Sequence, residues 1–169
     1  KALELCSEIA DGVHLSVLTS PGYLKYAKAQ LEKGAKRAGR TLDDFRIMAY
    51  IPISIDEDAK KAKDAVRSMI AKYMGLFGPH PILTTVGLTE EDIRPFQEAF
   101  RQGRIATELV TDELVDTFTV AGTPEHCRKR LEEYLEAGLD VPIVLEIPKV
   151  DFQTIIDSIA REIMPYFVG

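Results

Sequence analysis

Apolar residues occupy every second position over residues 45–55, in the segment FRIMAYIPISI. A period of two over this length predicts a β-strand with one buried face. Pro52 has no N–H to donate to a neighbouring strand, so we expect the regular strand to end or bulge near it. Two shorter apolar runs predict further strands over residues 12–17 and 141–147.

Around these strands, apolar residues recur at helical spacing. Helices are predicted at the start of the chain and over about 21–38, 57–74, 121–138 and 152–167. The first helix has two faces, an apolar one with Leu3, Cys6, Ile9 and Ala10 and a polar one with Glu4, Ser7 and Glu8. The last helix keeps one apolar face throughout, which predicts a single unbroken amphipathic helix.

Strands that alternate with helices are typical of parallel βα units. We therefore predict an α/β fold with three parallel strands, helices and a helical insertion over about 74–117. The insertion contains GLFGPHPILTTVGL, which combines Gly and Pro with bulky apolar residues. A segment this long between two βα units is usually functional. Because three strands are few for a closed barrel, we expect the chain to be part of a larger fold.

The amino-acid composition argues against nucleic-acid, membrane and metal partners. The formal net charge is -6 and the pI is about 5.2, so no basic stripe favours nucleic acid. No run of about 18 apolar residues predicts a membrane span. The two cysteines and three histidines lack metal-ligand spacing, so we expect no metal and cytoplasmic free thiols.

Side chains near the carboxyl ends of the strands are the candidates for chemistry, because that end of a parallel barrel forms the active-site face. The candidates chosen on this ground are His14, Ser16, Tyr50, Ser54 and Glu146. His14 could hydrogen-bond a ligand or only a neighbour. Glu146 could face the site or pair with a cation.

The hydroxyl residues after the first strand have two interpretations. Ser16, Thr19 and Ser20 could contact a phosphate or a ring of a ligand. They could equally cap the helix that begins at Pro21. The residues alone do not choose between these uses.

Five segments in register resemble the carboxyl-terminal part of luciferase-like flavin and deazaflavin oxidoreductases, in particular methylenetetrahydromethanopterin reductase-type enzymes. These segments are the DGV strand, the GAKRAGR helix end, the SIDEDA turn, the insertion with VGL, and VAGTPE. The resemblance implies that residues 1–169 form the carboxyl-terminal part of a (β/α)₈ TIM barrel. It also implies a small-molecule substrate and hydride transfer to or from FMN or a deazaflavin coenzyme of the F420 type.

The resemblance places the cofactor phosphate at the helix that begins here at Lys1 and Ala2, and a substrate contact at Ser16. His14, Tyr50, Ser54 and Glu146 are geometric additions to that substrate-binding set. The catalytic residues are unknown and are expected in upstream strands. We therefore expect this chain alone to be inactive and to need the amino-terminal part of the barrel, or another chain, and to form homo-oligomers.

Two other functions stay open. The chain could be a non-catalytic flavin-binding or assembly piece that a partner chain completes. It could also be an ordinary small α/β domain without a redox role.

Overall fold

The computed structural model describes residues 1–148 and 150–167 of the chain. Its strands are β1 (Gly12–Leu15), β2 (Arg46–Ile55), β3 (Val120–Gly122) and β4 (Val141–Leu145). Its helices are α1 (Ala2–Ile9), α2 (Pro21–Arg37), α3 (Ala59–Phe77), α4 (Pro81–Thr84), α5 (Glu90–Arg101), α6 (Asp112–Phe118), α7 (Pro124–Glu136), α8 (Phe152–Glu162) and α9 (Met164–Phe167). A short 3₁₀ turn covers Thr107–Leu109.

β2 is the central strand of the sheet, and it pairs in parallel with each of the other three. The predicted α/β class with parallel strands, as part of a barrel, is therefore confirmed. The predicted number of three strands is wrong, because β3 is a fourth. β3 has three residues between the end of α6 and the cap of α7, which is too short to show a period of two.

The regular strand does not end at Pro52, which was one of the two outcomes predicted there, and β2 continues to Ile55. The N–H groups of Arg46 and Asp56 both point to the side of β2 that carries β1 and β3. Because strand residues alternate their backbone groups between sides, Pro52 faces this side too. β1 pairs with β2 as far as Ala49, and β3 pairs from Ile53 onwards. The missing N–H of Pro52 therefore faces the gap between the end of β1 and the start of β3. No hydrogen bond between strands is lost there.

α1 and α2 pack with their backbones very close together. A Cβ atom at Gly34 would lie 2.0 Å from the carbonyl oxygen of Glu4, so only glycine fits there. Ser7, predicted on the polar face of α1, is instead buried and donates its hydroxyl to the Leu31 carbonyl at 2.7 Å. Ile9, predicted on the apolar face, stays 74% exposed.

The last helix is broken, whereas the pattern predicted a continuous one. α8 ends at Glu162 and α9 begins at Met164. Pro165 accounts for the break, because it lacks an N–H and its ring crowds the preceding turn. The predicted apolar face is only partly used: Ile155 and Ile163 are buried, and Phe152, Ile156 and Met164 are exposed.

The main core lies against the face of β2 that carries its odd-numbered residues. Four of these side chains are buried: Ile47, Ala49, Ile51 and Ile53. Helices α3, α7 and α8 all contact this strand. In the described ranges, no helix is both long enough and apolar enough to cross a membrane.

Candidate functional site

A cavity of about 370 Å³ lies at the carboxyl end of β1. Four elements form its walls: the start of α1, the end of β1, the first turns of α2 and the start of α4. The polar and aromatic residues that line it are Lys1, His14, Ser16, Tyr23, Tyr26, Gln30 and His80, and Ala2 lies beside Lys1. We call this space the β1 cavity.

Four of the seven predicted binding residues meet in the β1 cavity. Lys1 and Ala2 line one side, and His14 and Ser16 line the strand side. Tyr50 joins them through His14, since the two ring centroids are 4.1 Å apart in an edge-on arrangement. The structure thus brings five of the predicted residues together, and their binding roles stay predictions.

Ser54 and Glu146 lie apart from this group. Ser54 is buried farther along β2, and its carbonyl oxygen lies 3.7 Å from the Cys127 sulfur. Glu146 is exposed and lines a second cavity of about 280 Å³ together with Lys72 and Tyr73 of α3. Because the end of β4 turns toward α3, Glu146 does not line the β1 cavity.

The amino terminus of α1 opens on the β1 cavity without a side-chain cap. Lys1 occupies the N-cap position and makes no capping hydrogen bond. The first N–H groups of a helix have no partner within the helix, and the helix dipole makes this end attractive to anions. Glu4 in the first turn is held by Arg37, whose hydrogen bond lowers the pKa of the Glu4 carboxyl.

The loop after β1 resolves part of the ambiguity about its hydroxyl groups. Ser20 caps α2, since its hydroxyl accepts the Tyr23 N–H at 3.1 Å. Thr19 is buried and donates its hydroxyl to the Ser16 carbonyl at 2.7 Å. Ser16 is left as the exposed hydroxyl of the three.

Leu18 in the same loop has a φ of 63° although it is not glycine, and its side chain is fully buried. A branched residue rarely adopts this left-handed conformation, and such strain is often found beside functional sites. Burial of the side chain in the core holds the backbone in place. The loop that carries Ser16 is therefore fixed in shape.

Tyr23, Tyr26, Gln30 and His80 were not among the predicted site residues. The two tyrosines lie at helical spacing with the apolar residues of α2, a pattern that indicates core. Burial raises the pKa of the Tyr23 phenol, with a smaller contribution from Tyr26, so Tyr23 stays protonated and able to donate. The signal that could have found His80 is its place in the insertion between Pro79 and Pro81, which fix the chain around it.

Cys127 is a core residue. Its sulfur lies within 3.7 Å of the carbonyl oxygens of Ser54, Val120 and Gly122, at the junction of β2 and β3. Burial raises the pKa of this thiol to about 12. Over the part of the chain that the structure describes, no three His, Cys, Asp or Glu side chains are grouped as metal ligands.

Residues 1–141 match the family model for luciferase-like monooxygenase. The chain is 32% identical to 5,10-methylenetetrahydromethanopterin reductase of Methanopyrus kandleri, over 98% of this chain and 47% of that protein. It is 31% identical to the protein of the same name from Archaeoglobus fulgidus, over 98% of this chain and 51% of the relative.

The fold agrees with these matches. The solved structure of the coenzyme F420 dependent tetrahydromethanopterin reductase from Methanopyrus kandleri superposes with a TM-score of 0.84 and 32% identity. The superposition covers 98% of this chain and 48% of that one. The chain thus spans about half the length of the relatives it matches. Its sequence and its fold place it in the luciferase-like monooxygenase family.

Proposed function

We propose that this chain is one part of a deazaflavin-dependent oxidoreductase, in which hydride passes between coenzyme F420 and a small organic substrate. The observation that carries the proposal is the β1 cavity, which joins an uncapped helix end to polar and aromatic side chains at a strand's carboxyl end. Family membership and the F420-dependent relatives support the choice of coenzyme.

The residues present fit the phosphate end of such a coenzyme. The uncapped N–H groups at the start of α1 are an anion-binding arrangement, and Lys1 adds a positive charge there. When bound, the deazaflavin would supply the hydride chemistry, and the protein's task would be to hold and shield it. Lys1 and Ala2 would serve as the phosphate contacts.

The strand side of the β1 cavity would contact the rest of the ligand. Ser16 offers an exposed hydroxyl on a loop of fixed shape, because Leu18 is buried behind it. His14 and Tyr50 stand edge to face and present polar atoms beside apolar rings. Such a wall suits a planar ring that carries hydrogen-bonding groups.

The test uses the complete barrel that contains this chain. Coenzyme F420 and FMN are titrated separately, and binding is followed by the change in absorbance of each. We expect F420 to bind with one equivalent per barrel, and this chain alone to bind it weakly or not at all. Tighter binding of FMN would overturn the choice of coenzyme, and binding of neither would overturn the proposed function.

A second candidate function is an assembly piece that a partner chain completes. It is favoured by exposed apolar side chains, which include Val141 on β4 and Phe152 and Ile156 on α8. Exposed strand edges and apolar surface promote association. Sedimentation of the chain should therefore show oligomers, and addition of the amino-terminal part of the barrel should replace them with a single defined complex.

A further inference from the structure

The β1 cavity is lined by a histidine of the insertion, His80, beside Pro81. His80 precedes α4 and lines the cavity together with residues of β1 and α2. Its Nδ1 accepts the N–H of Ile82 at 3.2 Å and so caps α4. A neutral imidazole that accepts at Nδ1 carries its proton on Nε2, on the far side of the ring. His80 therefore has a hydrogen-bond donor that the cap does not use.

His80 also stands in the middle of a row of aromatic rings. The row runs Tyr26, Tyr23, His80, Phe77, Tyr73, with centroids 5.9, 6.5, 6.4 and 5.8 Å apart in that order. Its first three members line the β1 cavity, and Tyr73 lines the second cavity beside Glu146. The row joins α2 to α3 across the start of α4, and the exposed ring of His80 lies between Tyr23 and Phe77.

We propose that His80 is a coenzyme-binding residue, whose Nε2–H donates to an oxygen acceptor on a planar ring ligand, the deazaflavin coenzyme, in the β1 cavity. This inference rests on the proposed function. The cap fixes which nitrogen carries the proton, and the neighbouring rings of Tyr23 and Phe77 limit the orientations open to the imidazole. Part of the cost of ordering the side chain is thus met before a ligand arrives, which favours a recognition contact. The insertion thereby contributes directly to ligand binding.

The structure supplies a variant that separates capping from recognition. Asn is a strong N-cap residue, so His80→Asn keeps an acceptor for the Ile82 N–H. It removes the ring with its Nε2–H and leaves only the shorter amide group as a donor. His80→Ala removes the cap as well. Thr84→Ala, at an exposed position of the same short helix, is the matched control.

The experiment titrates coenzyme F420 into the complete barrel that contains this chain, in four forms: unchanged, His80→Asn, His80→Ala and Thr84→Ala. We expect both His80 variants to bind about five- to tenfold more weakly, in the range of one lost hydrogen bond, and Thr84→Ala to bind as the unchanged protein does. The absorbance spectrum of the bound coenzyme should shift in His80→Asn. Because this variant keeps the cap of α4, loss of the cap cannot be the cause of that shift.

Two results would overturn the inference. If His80→Asn binds F420 as tightly as the unchanged protein and with the same spectrum, His80 is only a cap. If the unchanged barrel binds no F420, both the proposed function and this inference fail, and that outcome is recognisable because it does not depend on any variant.

Discussion

The two faces of β2 differ in burial at its centre. On one face Ile51 is fully buried, with Ile47, Ala49 and Ile53 beside it. On the other, Tyr50 is 36% exposed and stands against His14. The two residues are adjacent in sequence, so the difference comes only from the direction of the side chain.

This contrast separates stability from function. The helices of this chain alone are enough to cover the face with Ile51, so that face already has a packed core. The face with Tyr50 adjoins the candidate site through His14. Substitution of Ile51 should therefore change stability, and substitution of Tyr50 should change ligand binding.

The largest effect should come from a pair of alanine substitutions that tests the contrast directly. Ile51→Ala should lower the free energy of unfolding by about 2–5 kcal/mol, because it leaves a cavity in a packed core. Tyr50→Ala should lower it by less than about 1 kcal/mol, since the side chain is partly exposed. Urea denaturation of both variants of this chain measures the difference, and equal losses would contradict the comparison.

Gly34→Ala should have the next largest effect, through the position of α1. Its new methyl group would meet the Glu4 carbonyl oxygen, so α1 must move, at a cost of about 1–3 kcal/mol. Gly22→Ala is the control, because a Cβ there would lie 3.4 Å from its nearest neighbour, the Val86 side chain. Hydrogen exchange of the α1 amides should increase in the first variant only. Unchanged protection in Gly34→Ala would show that α1 is not held by this contact.

Ser16→Val should act on binding and leave stability nearly unchanged. In the complete barrel we expect about two- to tenfold weaker substrate binding, because one hydroxyl is lost. The free energy of unfolding should change by no more than about 0.5 kcal/mol, as is usual at an exposed position. Ser16→Thr keeps the hydroxyl and should bind as the unchanged protein does. Equal kinetics for the Val variant would remove Ser16 from the site.

Substitution of Cys127, which is buried at the junction of β2 and β3, should have a smaller effect, on the pH dependence of stability. Its folded pKa of about 12 lies above the unfolded value of about 9, so the folded state keeps its proton at higher pH. This contribution to stability is complete below about pH 9 and is lost as pH rises toward 12, at up to about 1.4 kcal/mol per pH unit. Cys127→Ala should flatten the loss of stability between pH 9 and 10, and an unchanged slope would contradict the assignment.

Asp92 should give the smallest effect, at the surface of the insertion. Its carboxylate accepts the Thr89 N–H and hydroxyl in a capping box, and these hydrogen bonds lower its pKa. Protonation would break the box, so its stabilisation is present at neutral pH and is lost as pH falls through the folded pKa. Asp92→Asn should increase hydrogen exchange at the start of α5 at neutral pH but not at acidic pH. A difference that persists in acid would argue against the box.

The sequence by itself determined the elements whose patterns are long. Eleven residues of period two predicted β2, and Pro21 predicted the start of α2. Local chemistry was sufficient there, because capping and alternation depend on near neighbours. The segments in register also identified the family, which the comparisons confirmed. His14 and Ser16 could be selected because the ends of parallel strands meet at one edge.

Only the tertiary structure decided what depends on residues far apart in the chain. β3 is a strand because its three residues pair with the end of β2. Ser7 is buried because Gly34 allows α1 to approach α2 closely. Glu146 lies in a second cavity because β4 ends beside α3. His80 reaches the β1 cavity because the insertion folds back over the strand end. Each of these features depends on a contact between segments that lie far apart in the sequence. A local sequence pattern does not specify which segments will make contact.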